Sequence, residues 1–72
     1  MATWDYRIID FGEHLALHEV HYDEAGKPTN YTQGPVTFVA DPGCRDEIVS
    51  ELTMALQDAT SKPVLSVGEF AA

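Results

Sequence analysis

All three histidines of the chain lie in one eight-residue stretch, HLALHEVH, from His14 to His21. Clustered imidazoles are candidate ligands for a transition metal. Whether these three could share an ion depends on the backbone beneath them. On an α-helix, at about 100° per residue, His14, His18 and His21 would lie within roughly 60° of one another. On a β-strand His14 and His18 would share a face about 13 Å apart, with His21 on the other. The sequence that follows favours the strand. In YDEAGKP, Asp23 opens a turn and Gly26 supplies positive φ, between Val20, His21 and Tyr22 on one side and Thr29 to Thr32 on the other. This is a hairpin connection, and a hairpin needs a strand on each side. As a helix, Leu15, Ala16, Leu17 and Val20 would spread over more than half the circumference instead of forming one stripe. The histidines are therefore expected not to form one site. A metal-binding protein using His14, His18 or His21 remains an alternative, because two-ligand sites at His18 with Glu19 or a residue near Tyr31, or at His14 with Glu13, stay open.

Other chemistry is sparse. Cys44, the sole cysteine, excludes an internal disulfide or a multi-thiolate zinc site and reads as a small core residue in a reducing compartment. The twelve carboxylates single out no catalytic pair, and Gly-rich phosphate loops, metalloprotease histidine pairs and EF-hand patterns are absent. No catalysis and no cofactor are expected. The four Lys and Arg leave a formal charge of −8, which disfavours direct binding to nucleic acid or anionic membranes. No basic segment leading into an apolar one opens the chain, and no apolar run is long enough to span a bilayer, so a cytoplasmic protein is expected. Asn30-Tyr31-Thr32 then matches a glycosylation acceptor by chance.

With 72 residues, 44% of them hydrophobic and seven aromatic, the chain fits one small folded domain, residues 1–72, of marginal stability. TWDYRII predicts a strand over Thr3–Ile9, followed by a turn at Asp10 to Glu13. Gly34-Pro35 interrupts the third strand, and VTFVA predicts renewed extended structure over Val36–Ala40. Asp41-Pro42 reads as a cap and first residue of a helix. That helix ends near Thr60, before Lys62-Pro63. Cys44, Ile48, Leu52, Ala55, Leu56 and Ala59 share one of its faces, with Val49 at the edge. PVLSV, near residues 63–67, could add a strand or cover an edge. The expected fold is α+β: a small antiparallel sheet of three to four strands packed on one C-terminal helix, in two layers.

A single helix covers one sheet face, yet Trp4, Tyr6 and Ile8 alternate with Ile9 and Phe11 along the first strand, and Val36 and Phe38 with Thr37 and Val39 later. The second face could be covered by PVLSV, by a second copy or by another protein. On the helix, Glu47, Glu51, Met54 and Asp58 form an expected outward stripe, with Asp46 nearby. Solvation explains such a stripe, and so would a surface for a basic partner.

The residues YRII, HEVHYDEAGKP and the helix followed by KPVL give the chain a layout that resembles a group of short, mostly bacterial proteins of unknown function. That resemblance implies the order of elements and transfers no activity. A looser one, to antitoxin domains of the HicB type, implies a small sheet and helix that neutralise a basic RNA-cutting partner. No attached DNA-binding segment is seen here. The leading expectation is a small acidic, non-catalytic protein-protein interaction module that self-associates through its sheet as a homodimer. The alternative is an inhibitor or antitoxin whose acidic face occupies the nucleic-acid-binding surface of a basic protein. The candidate partner-binding residues are Glu47, Glu51, Met54, Asp58, Trp4 and Tyr6.

Overall fold

A computed structural model describes residues 3–70. Strands β1 (Trp4–Asp10), β2 (Leu15–Tyr22) and β3 (Pro28–Tyr31) are followed by helix α1 (Arg45–Ser61), a short strand β4 (Leu65–Ser66) and one 3₁₀ turn, Val67–Phe70. The sheet runs in the order β3-β2-β1-β4. The fold is α+β, with its helix after the hairpin strands. β1 and β2 pair antiparallel from Trp4 opposite His21 to Asp10 opposite Leu15, and β2 pairs antiparallel with β3.

The second hairpin is built by its turn chemistry. Asp23 and Lys27 flank a three-residue loop, the Asp23 amide donating to the Lys27 carbonyl at 2.9 Å and the Gly26 amide to the Asp23 carbonyl at 3.0 Å. The Asp23 carboxylate accepts from the Ala25 and Lys27 amides, both at 2.9 Å. Gly26 closes the loop at φ +83°, a conformation an L side chain resists.

The fourth strand is not where the sequence suggests. Thr32 and Val36 still donate amides to β2, at Glu19 and Leu17, but Val36–Ala40 forms no strand. Gly34 offers no side chain to pack, and Pro35 has no amide for the ladder. The place beside β1 goes to Leu65–Ser66, which pairs parallel with Ile9 and Asp10. The sheet is thus mixed, and residues 63–67 do supply a strand, although only two residues long.

Each sheet face is partly covered by the chain itself. On one, Ile9, Val20 and Leu65 form the buried core, with Phe11, Tyr22, Tyr31, Val67 and Phe70 packed around it. The 3₁₀ turn brings Phe70 edge-on to Tyr31, with ring centroids 4.8 Å apart, so the sheet curls around this core. On the other face Tyr6 is buried, beside Trp4 at 5.3 Å and Phe38 at 6.3 Å. The 36–40 segment that failed as a strand therefore serves as a cover.

The helix differs from expectation in its start and its roll. Asp41-Pro42-Gly43-Cys44 closes a turn with the Cys44 amide on the Asp41 carbonyl at 3.0 Å and Gly43 at φ +88°. Proline second and a positive-φ glycine third mark a type II turn, and this turn displaces the helix start to Arg45. Cys44 takes the N-cap position without a side-chain capping bond. The roll matters more. Ala55 is buried and Ile48 and Ala59 are half-buried, but so are Glu51 and Asp58, while Val49, Leu52 and Leu56 are exposed. The side turned to the sheet lies roughly 40–50° away from the centre of the apolar stripe.

Candidate functional site

The histidines separate as a strand requires. His18 and His21 lie in β2 three positions apart, hence on opposite faces, and His21 is exposed. His14 sits in the turn before β2, its ring stacked on Phe11 at 5.2 Å. His18 is 3% exposed. Its Nδ1 lies 2.9 Å from the Thr32 carbonyl oxygen, which only accepts, so Nδ1 carries the hydrogen. The ring packs between Phe11 and Tyr31, at 5.3 and 5.2 Å. Among the described residues no three His, Cys, Asp or Glu side chains converge on a point that could hold a metal ion. His18 is a packed core residue.

Beside His18, directly across the ladder, stands Arg7, 9% exposed. Arg7 anchors a chain of polar contacts through the molecule. Its guanidinium donates to the Pro63 carbonyl at 2.8 Å and to the Tyr22 hydroxyl at 2.9 Å. The Tyr22 hydroxyl donates to Asp5 at 2.5 Å. Asp5 is paired with Lys62, and Lys62 also reaches Asp58 at 3.3 Å. Asp58 in turn accepts the backbone amide of Tyr6 at 3.1 Å. Strands β1 and β2, the helix and the segment after it are joined in this way. Burial raises the Tyr22 phenol above its ordinary range, as does its bond to Asp5, while Arg7 opposes both. Lys62 is raised chiefly by its bond to Asp5, against desolvation. Burial also raises Tyr6, followed by the Glu51, Glu19 and Asp58 carboxylates. Of the described buried side-chain polar atoms, the Arg7 Nε has no partner.

This network explains the roll of the helix. The Tyr6 amide belongs to the side of β1 that has no strand neighbour at that point, and the Asp58 carboxylate satisfies it in place of a strand. Turning Asp58 inward turns Val49, Leu52 and Leu56 out, at 50%, 48% and 65% exposure. The expected acidic stripe is divided. Glu47 and Met54 are exposed, Glu51 is half-buried, and Asp58 is half-buried and already bonded to Tyr6 and Lys62. Trp4 is half-buried and Tyr6 buried, so Tyr6 offers little surface to a partner. The surface that sequence reasoning assigned to the core is the exposed side of α1. A signal did exist: Asp5, Arg7 and Tyr22 fall on one face by strand alternation, and a polar inner face calls for charged side chains from the helix.

Along that exposed side, in angular order, lie Leu52, Arg45, Leu56, Val49, Thr60 and Thr53, with exposed Asp46 about 20° further round. The six residues from Leu52 to Thr53 include no carboxylate, in a chain with twelve. No protein-family model matches the chain, and neither a curated protein nor a solved structure matches it significantly. The site is therefore read from its own geometry. Among the described residues no helix is long and apolar enough to cross a membrane.

Proposed function

We propose that the protein is a small, non-catalytic protein-interaction module whose contact surface is the exposed side of α1. The observation that carries this reading is the row Val49, Leu52 and Leu56, at spacings of three and four, facing water on a helix rolled away from its own apolar stripe. Three large aliphatic side chains aligned on one helix are the anchors by which a helix seats against an apolar partner surface. The chain's own cover over both sheet faces favours the helix over the sheet as the interface. The reading as an inhibitor of a basic nucleic-acid-binding protein has less support, because Glu51 and Asp58 face inward and Asp58 has partners already.

The test is site-specific photocrosslinking in cells, with a benzophenone amino acid at position 52 or, as control, at exposed position 47 on the opposite side of α1. Adducts at 52 and none at 47 support the module. Equal capture at the two sites, or none at either, removes the reading.

A further inference from the structure

We infer that the occupant of this surface is a second copy of the chain, whose α1 lies antiparallel across the first about a two-fold axis near Leu52 and Thr53. The inference rests on the interaction-module reading and deepens it, and three observations support it.

The first is surface. The chain exposes 5277 Å², where a monomer of 7.9 kDa is expected to expose about 4,400 Å². The difference, roughly 900 Å², is spread over the whole chain, Leu15, Val39 and Val64 included, and is of the size, ~800 Å², that each partner buries in a standard interface. The radius of gyration, 13.0 Å, likewise exceeds the ~11 Å expected of a lone domain of this length.

The second is charge. Two copies at −8 each repel, and a contact surface poor in carboxylates costs least against that repulsion. The row Leu52, Arg45, Leu56, Val49, Thr60 and Thr53 is such a surface, its single charge the cation of Arg45, with the exposed carboxylate of Asp46 at its edge.

The third is internal symmetry. Under a two-fold axis between positions 52 and 53, Val49 of one copy meets Leu56 of the other, Leu52 meets Thr53, and Arg45 meets Thr60. Every large apolar side chain of the row then finds an apolar or uncharged counterpart, as an isologous interface requires. Arg45 arrives at the last turn of the partner helix, whose carbonyl end favours a cation and whose C-cap Lys62 is turned to Asp5 and Asp58. A parallel arrangement would set Arg45 against Arg45.

The experiment uses disulfide trapping in a Cys44→Ser background, with circular dichroism confirming the fold of each variant. Val49→Cys and Leu56→Cys are made as separate proteins and oxidised alone and mixed. In the antiparallel dimer position 49 faces 56, while 49 lies about 10 Å along the axis from its own copy in the partner, too far for a disulfide. The mixture is expected to give a crosslinked heterodimer and neither protein alone a homodimer. Crosslinking of each protein alone would overturn the antiparallel arrangement. Light scattering completes the test: Leu52→Glu is expected to weaken the dimer roughly 30-fold or more. A wild-type mass of one chain up to about 1 mM would overturn the second-copy inference. Position-52 adducts with a different protein would then leave the module reading standing with another partner, whereas the loss of those adducts would remove both.

Discussion

At the residue scale, the Tyr22 hydroxyl is the pivot of the polar chain, since it accepts from Arg7 and donates to Asp5. Tyr22→Phe removes both bonds and leaves a guanidinium nitrogen without that partner in a residue already carrying one unpaired nitrogen. The loss of a buried hydrogen-bonded partner costs about 1–3 kcal/mol. In a domain of this size each kcal/mol lowers the melting temperature by about 4–8 °C, so a drop of several degrees is expected by calorimetry, and an unchanged melting point would show that the chain adds nothing to stability. The same residues set the alkaline limit. Tyr6, Tyr22 and Lys62 all hold their protons more tightly in the folded chain than at their ordinary values of 10.0, 10.0 and 10.5. As pH rises past 10 the unfolded chain releases these protons first, so it binds fewer protons than the folded one and stability declines with pH. The contribution is complete below the unfolded values and disappears as pH climbs through the raised folded ones. Urea midpoints should be level around pH 8–9 and fall from about pH 10 upward, with a shallower fall in Tyr22→Phe. A midpoint that holds level through pH 11 would contradict this account.

At the element scale, the helix serves as a cap on a strand edge as much as a layer on a sheet. An open edge of β1 would offer its amides to any passing strand, and Asp58 takes the one at Tyr6. Asp58→Ala should expose that amide and unpair one contact of Lys62, lowering stability by about 1–3 kcal/mol. Hydrogen exchange at Tyr6 should rise more than at Ile9, whose strand partner Leu65 stays in place. Uniform loss of protection along β1 would mean that Asp58 acts on global stability and not as an edge cap. This division of labour also explains what could be read from the sequence. The hairpins were legible because their determinants are local: alternation in β1 and β2, and the Asp23 and Gly26 chemistry of one turn. The helix was legible in existence but not in orientation. Its roll is fixed by a carboxylate meeting the amide of a residue fifty-two positions away, and apolar periodicity, the usual guide, points roughly 40–50° from the side that packs. The start failed for a local reason, since Asp-Pro caps a helix in one context and opens a type II turn when glycine follows. The candidate site followed the helix: Leu52 and Leu56 were assigned to the core and Asp58 to the surface, and the network of Asp5, Arg7 and Tyr22 exchanged them.

At the scale of the whole molecule, charge and apolar surface pull self-association in opposite directions, and salt separates them. Two chains at −8 repel over about 10 Å at 0.1 M salt and over only about 3 Å at 1 M. The Val49, Leu52 and Leu56 contact is apolar and is not weakened by screening. Dimerisation through α1 should therefore tighten as salt rises, whereas a carboxylate surface on a basic protein should loosen. Sedimentation across this salt range reads the direction at once. Dimerisation also couples to folding, because a partner that binds only the folded state raises stability by mass action. A core whose fully buried large side chains, among the described residues, are Ile9 and Val20 leaves much of the stability to be supplied this way. The melting temperature should rise with protein concentration, and Leu52→Glu should abolish that dependence while leaving the melting point at low concentration nearly unchanged, since Leu52 is half exposed in the single chain. A melting temperature independent of concentration in the wild-type chain would mean that the thin core stands alone and that α1 does not meet its own copy.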